Sequence, residues 1–173
     1  DNNAGSISNN AIRHIFEDSK RNIWVGTTNG LNLYHRENDT FTVFKHNTDS
    51  VNDNNYVTRI LEDKKGNLWA TYDNGAGLTK WNYQENNYER FRIKTSDNNY
   101  LANCITSIKE DSKGRIWVAT KDAAIYKFEP ETGEFTAYSA PHIGLGTNID
   151  KSLCIDHEDK IWIGTFGNGL FSF

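Results

Sequence analysis

Ile15-Phe16-Glu17-Asp18-Ser19-Lys20-Arg21-Asn22-Ile23-Trp24-Val25-Gly26-Thr27 is a phrase that the chain writes four times. It returns as Ile60-Leu61-Glu62-Asp63 leading to Gly66-Asn67-Leu68-Trp69-Ala70-Thr71, and as Ile108-Lys109-Glu110-Asp111 leading to Gly114-Arg115-Ile116-Trp117-Val118-Ala119-Thr120. The fourth copy runs Leu153-Cys154-Ile155-Asp156 and then Lys160-Ile161-Trp162-Ile163-Gly164-Thr165. The four tryptophans are spaced by 45, 48 and 45 residues. Self-similarity at such a period is the mark of a repeat architecture, in which one supersecondary unit is stacked on the next.

A second shared phrase follows each tryptophan, from Gly30-Leu31 to Tyr34, Gly77-Leu78 to Trp81, Ala124-Ile125 to Phe128 and Gly169-Leu170 to Phe173. Phe41, Tyr88 and Phe135 then open a last apolar segment in three of the copies, and the fourth copy stops before its own. Each unit thus offers four short β-branched and aromatic stretches bounded by turn formers such as Lys65-Gly66-Asn67 and Thr132-Gly133. No window carries a helical apolar period. The expectation is an all-β propeller of four-stranded antiparallel blades, about three and a half to four of them, in units near 11–45, 56–92, 104–139 and 149–173. In the first unit the strands are placed near 11–17, 22–28, 31–36 and 41–45.

The repeated residues have structural readings first. Blades sandwiched face to face bury their inner strands on both sides, so Trp24, Trp69, Trp117 and Trp162 read as core. Asp18, Asp63, Asp111 and Asp156 precede tight turns and read as acceptors for turn N–H groups.

Composition narrows the function. The 173 residues carry 19 basic and 23 acidic side chains, well mixed, for a net charge of −4. A phosphate backbone needs a basic stripe, so nucleic acid is not expected as a partner. No apolar run reaches membrane-spanning length, and the N-terminus has no signal-peptide pattern, so no membrane contact is expected in this segment. Cys104 and Cys154 are too few for a disulfide framework, and neither metal nor cofactor is expected. A chain without methionine, stopping at Phe173, is expected to be an internal piece of a seven- or eight-bladed ring, with two copies pairing as the alternative.

The phrase Ile-x-Glu-Asp-x-x-Gly-x-Ile-Trp-Val-Gly-Thr, with its Gly-Leu-aromatic and Phe-Thr-x-Tyr continuation, resembles the two-component regulator propeller repeat. Ile108 to Tyr138 matches best, while Ile155 stands where the other copies have glutamate. The resemblance implies the periplasmic sensor region of a Bacteroides-type hybrid two-component system histidine kinase. It further implies a non-enzymatic segment that recognises an oligosaccharide and signals to kinase and regulator modules. The partners so implied are the oligosaccharide, the remaining blades or a second propeller of a parent sensor, or a second copy of this chain.

Candidate ligand residues are sought where the repeats differ. Eleven residues before each tryptophan stand Arg13, Thr58, Thr106 and Lys151, followed by His14, Arg59, Ser107 and Ser152. On an innermost strand, Arg13, His14, Arg59 and Lys151 could face the axial channel and meet carboxylate or sulfate groups on a sugar, or they could bond neighbouring blades. Tyr72-Asp73-Asn74, and His142 in the loop after the third unit, form a second set suited to stacking on a sugar and bonding its hydroxyls. Two other classes fit the same fold: a structural or protein-interaction propeller, and a propeller glycoside hydrolase or lyase. The aspartate box of sialidases is not matched, because one extra residue separates Asp111 from Trp117.

Overall fold

The computed structural model describes residues 5–46, 55–73, 75–122, 124–138 and 151–173. Among these residues, fifteen strands form four antiparallel sheets, each in simple sequential order. The first sheet holds β1 (Ile12–Glu17), β2 (Ile23–Thr27), β3 (Gly30–His35) and β4 (Thr40–Phe44). The second holds β5 (Val57–Glu62), β6 (Leu68–Tyr72), β7 (Leu78–Asn82) and β8 (Asn87–Phe91). The third holds β9 (Ile105–Glu110), β10 (Ile116–Thr120), β11 (Ile125–Glu129) and β12 (Glu134–Tyr138). The last has three strands, β13 (Lys151–Ile155), β14 (Ile161–Thr165) and β15 (Gly169–Ser172). A single 3-10 turn, Tyr100–Asn103, leads into β9. This is the blade architecture of a β-propeller, and the strands fall within a residue or two of their expected positions.

The apolar core is divided into three layers, one at each junction between blades. Trp24, Leu31 and Phe44 pack with Val57, Ile60 and Trp81 at the first. Trp69 and Leu78 pack with Ile105, Ile116 and Phe128 at the second, and Trp117 and Ile125 with Leu153 and Ile163 at the third. The tryptophan of each blade meets a ring of the next: Trp24 stands edge-on to Tyr83 at 5.0 Å, Trp69 to Phe128 at 5.6 Å, and Trp117 lies 5.8 Å from Phe173. Trp162, in the last blade, is only half-buried.

One turn geometry recurs four times. Asp18 accepts the backbone N–H groups of Lys20 and Asn22 through Oδ1, and the indole N–H of Trp24 through Oδ2 at 2.9 Å. Asp63, Asp111 and Asp156 make the same bonds to Trp69, Trp117 and Trp162 at 2.8, 2.9 and 2.8 Å. Burial alone would raise the Asp111 carboxyl, but the donors from Trp117 and Arg115 outweigh it and hold it below the usual carboxylate range. The third residue after each aspartate lies in the left-handed region: Gly66 (φ 79°) and Gly114 (φ 80°), but Arg21 (φ 67°) and Asp159 (φ 62°) in the outer blades.

The glutamates of the second and third Glu-Asp pairs work between blades. Glu62 accepts the backbone N–H and hydroxyl of Ser19 from the blade before, at 2.6 and 2.8 Å, and Glu110 accepts the backbone N–H of Lys64 at 2.9 Å. In the last blade Ile155 cannot do this, and Asp159 takes over by accepting the backbone N–H of Ser112 at 2.8 Å.

Candidate functional site

Successive first strands β1, β5, β9 and β13 lie side by side, so residues at one repeat position are gathered along one wall. A cleft of about 290 Å³ opens there, lined by Arg13, Thr58, Arg59, Asp73, Thr106 and Lys121. A second hollow of about 330 Å³ continues along the same strands past His14, Arg59, Ser107 and Lys109.

The floor of the cleft is made of side chains that stitch blades together. The Thr58 hydroxyl donates to the Ile105 carbonyl at 2.6 Å, and that of Thr106 to the Lys151 carbonyl at 3.0 Å. His14 Nδ1 accepts the backbone N–H of Ile60 at 3.2 Å, and Ser107 Oγ accepts that of Leu153 at 3.1 Å from the same repeat position. Accepting requires a neutral imidazole nitrogen. Burial lowers the pKa of His14, and the nearby charges of Arg59 and Lys109 lower it further.

Arg59 occupies the same repeat position in the second blade, and its guanidinium donates to the Thr58 carbonyl at 2.7 Å. Arg13, exposed, lies with its guanidinium 4.9 Å from the Tyr56 ring centre. Lys121 reaches across from the third blade to Asp73, at 2.8 Å. Three cationic side chains and one carboxylate therefore line the same cleft, with Lys121 paired to the carboxylate. Such a set favours an anionic ligand, because guanidinium groups bond carboxylate or sulfate through two N–H groups at once.

Of the residues expected at a ligand site, Arg13, Arg59 and Asp73 come together here, and His14 lies in the adjoining hollow. Two do not. Lys151 is 2% exposed, its ammonium held by the carbonyls of Thr120 and Asp122 at 2.7 Å each, so it seals the junction of blades three and four. Tyr72 is 1% exposed, packed against the His46 ring with its hydroxyl accepting the indole N–H of Trp81 at 3.0 Å, so it cannot stack on a sugar. Asn74 and His142 lie outside the described residues. Lys121 was not among the candidates, although it holds in the third repeat the position that Asp73 holds in the second. Neither cysteine is in a disulfide, and no cluster of metal-ligating side chains occurs among the described residues.

The two-component regulator propeller model matches residues 6–29, 51–74 and 99–122, the first halves of three blades. Three of the chain's blades carry the two-component regulator propeller repeat. Among solved structures, the repeats align with the extracellular domain of the hybrid two component system BT4673 of B. thetaiotaomicron at 26% identity and TM-score 0.76, over 96% of this chain and 23% of that one. A second structure of a BT4673 extracellular domain aligns at 22% identity and TM-score 0.77, over 96% and 22%. Virginiamycin B lyase from Staphylococcus aureus shares the fold, at 15% identity and TM-score 0.73, over 96% of this chain and 57% of the lyase. The chain thus spans less than a quarter of the two sensor domains it resembles. None of the curated proteins compared matches it. No helix among the described residues is long and apolar enough to cross a membrane.

Proposed function

We propose that this chain is a non-enzymatic segment of the extracytoplasmic sensor of a hybrid two-component system, working in the periplasm, and that it recognises an oligosaccharide carrying acidic groups. The observation that carries the reading is the axial cleft, lined by Arg13, Arg59 and Lys121 together with Asp73, in a propeller that carries two-component regulator repeats. The hydroxyls of Thr58 and Thr106 add polar contacts beside the charges. A cationic, polar cleft of this size suits one charged sugar unit, with its neighbours running out along the wall of first strands. The downstream kinase and regulator belong to the same proposal.

Thermal-shift screening against acidic and neutral glycan fragments tests it. A stabilising acidic glycan should lose about tenfold or more in affinity when Arg13→Ala and Arg59→Ala are combined, the loss of roughly one charged hydrogen bond. The unfolding temperature without ligand should stay nearly unchanged. A chain indifferent to every glycan but bound by a protein would be an interaction propeller, and one that cleaved the glycan would be an enzyme.

A further inference from the structure

Two equivalent crevices lie on the outer flank of the molecule, where the turn after each aspartate approaches the last hairpin of the following blade, and they are finished differently. Between the second and third blades, Lys65 forms an ion pair with Glu131 that spans the crevice. Between the first and second, the same two repeat positions hold Lys20 and Gln84. Gln84 has no hydrogen-bond partner among the described residues, and Lys20 has no carboxylate partner there. The Lys20 ammonium instead lies 3.5 Å from the hydroxyl of Tyr83. This crevice stands open as a groove of about 730 Å³, sharing no residue with the axial cleft.

The groove is furnished as a saccharide site would be. Trp81, Tyr83 and Tyr88 line it, and only the second repeat has an aromatic residue at position 83, where the first has Arg36 and the third Pro130. The hairpin of the third blade carries Glu129, Glu131 and Glu134, whereas this one carries Asn82, Gln84 and Asn87 at the same places. Its tip is held from within: Glu85 accepts the amides of Asn82 and Asn87 at 2.9 and 3.0 Å and gives its own N–H to Asn82 Oδ1. The Gln84 amide and the Lys20 ammonium are left to face a ligand from a fixed frame. Amides bond sugar hydroxyls, tyrosine rings cover the apolar face of a pyranose, and an ammonium selects a carboxylate.

We propose that the groove between the first and second blades is a second ligand site, taking a uronate unit of an oligosaccharide with its carboxylate on Lys20, its hydroxyls on Gln84 and its ring against Tyr83. The site rests on the carbohydrate-sensor reading but not on the axial cleft.

The test is a two-dimensional amide NMR titration of the chain with trigalacturonate, and with galactotriose as the uncharged control. The side-chain amide of Gln84 and the backbone amides of 82–88 should shift and saturate with trigalacturonate, and far less with galactotriose. Gln84→Glu should create an ion pair with Lys20, like that of Lys65 with Glu131, and weaken this binding about tenfold or more, as should Tyr83→Ala. The Arg13→Ala, Arg59→Ala double variant should leave it intact. If the axial amides shift while the groove amides stay still, or if Gln84→Glu leaves the groove affinity unchanged, the groove site is wrong and the sensor reading stands. If trigalacturonate moves neither set, the groove site falls, and the axial reading falls with it for this glycan.

Discussion

The indole N–H of Trp69 donates to Asp63 Oδ2 at 2.8 Å, and this bond joins the turn that starts a hairpin to the layer that glues one blade to the next. A buried indole needs a partner for its polar end, and the aspartate needs donors for its charge, so each satisfies the other.

Trp69→Ala should cost about 3–5 kcal/mol in chemical denaturation, since the ring is 1% exposed and packed against Phe128. Trp162→Ala should cost less than half as much, because Trp162 makes the same aspartate bond from a half-buried place. Equal losses would mean that the turn bond, not the layer, carries the stability.

The carboxylates between blades predict a graded series. Glu110→Ala should cost about 0.5–1.5 kcal/mol, through the bond it accepts from Lys64 N–H. Glu17→Ala should fall within about 0.5 kcal/mol of the parent, because among the described residues Glu17 makes only its exposed ion pair with Arg21. Urea midpoints of the two variants, measured side by side, decide it.

His14 predicts a pH dependence with a definite sign. Its folded pKa is lowered, chiefly by burial, so the unfolded chain takes up the proton first as pH falls below about 6.5. Its contribution to stability is therefore complete above that pH and is lost as pH drops through the folded value. His14→Ser keeps an acceptor for Ile60 N–H, as Ser107 does for Leu153, and should flatten the stability curve between about pH 7 and pH 5. A slope unchanged by the substitution would assign the effect elsewhere.

Lys151→Met should lower stability by about 2–3 kcal/mol, by removing the donor to the Thr120 and Asp122 carbonyls, and should leave glycan affinity untouched. Denaturation and titration of this one variant separate a sealing role from a binding role.

Arg21→Gly should be neutral or stabilising by up to about 1 kcal/mol, because glycine adopts a φ of 67° without strain and the exposed pair with Glu17 is worth little. Gly66→Ala, at the equivalent position, should destabilise by a similar amount. Thermal unfolding of both variants provides the comparison.

The blades were legible in the sequence because the residues that build them repeat: the tryptophan, the turn aspartate and the paired apolar stretches stand within a few residues of one another. The candidate site was legible only in part. Arg13 and Arg59 announced themselves as charges in an otherwise apolar strand, and the cleft does hold both. Lys151 sent the same signal and is buried, because the carbonyls that hold it belong to residues about thirty positions earlier. Tyr72 looked like a loop aromatic next to Asp73, but β6 runs on to include it and all five of its residues are buried. No role of their own was legible for Glu62 and Glu110, because their partners include main-chain N–H groups 43 and 46 residues away, and a backbone amide leaves no letter in a sequence.

That last asymmetry gives the stack a direction. At each junction the later blade brings a carboxylate, while the earlier one offers main chain, which every residue except proline can supply. A blade therefore specifies its predecessor's shape more than its predecessor's side chains, and the turns that follow the aspartates can diversify around one kept N–H. Ser19 and Ser112 add their hydroxyls to the grip of Glu62 and Asp159, while Lys64 is gripped by Glu110 through its main-chain N–H without one. New surface chemistry can accumulate on one side of every joint, and the groove beside Lys20, one residue beyond such a grip, lies where that freedom is greatest.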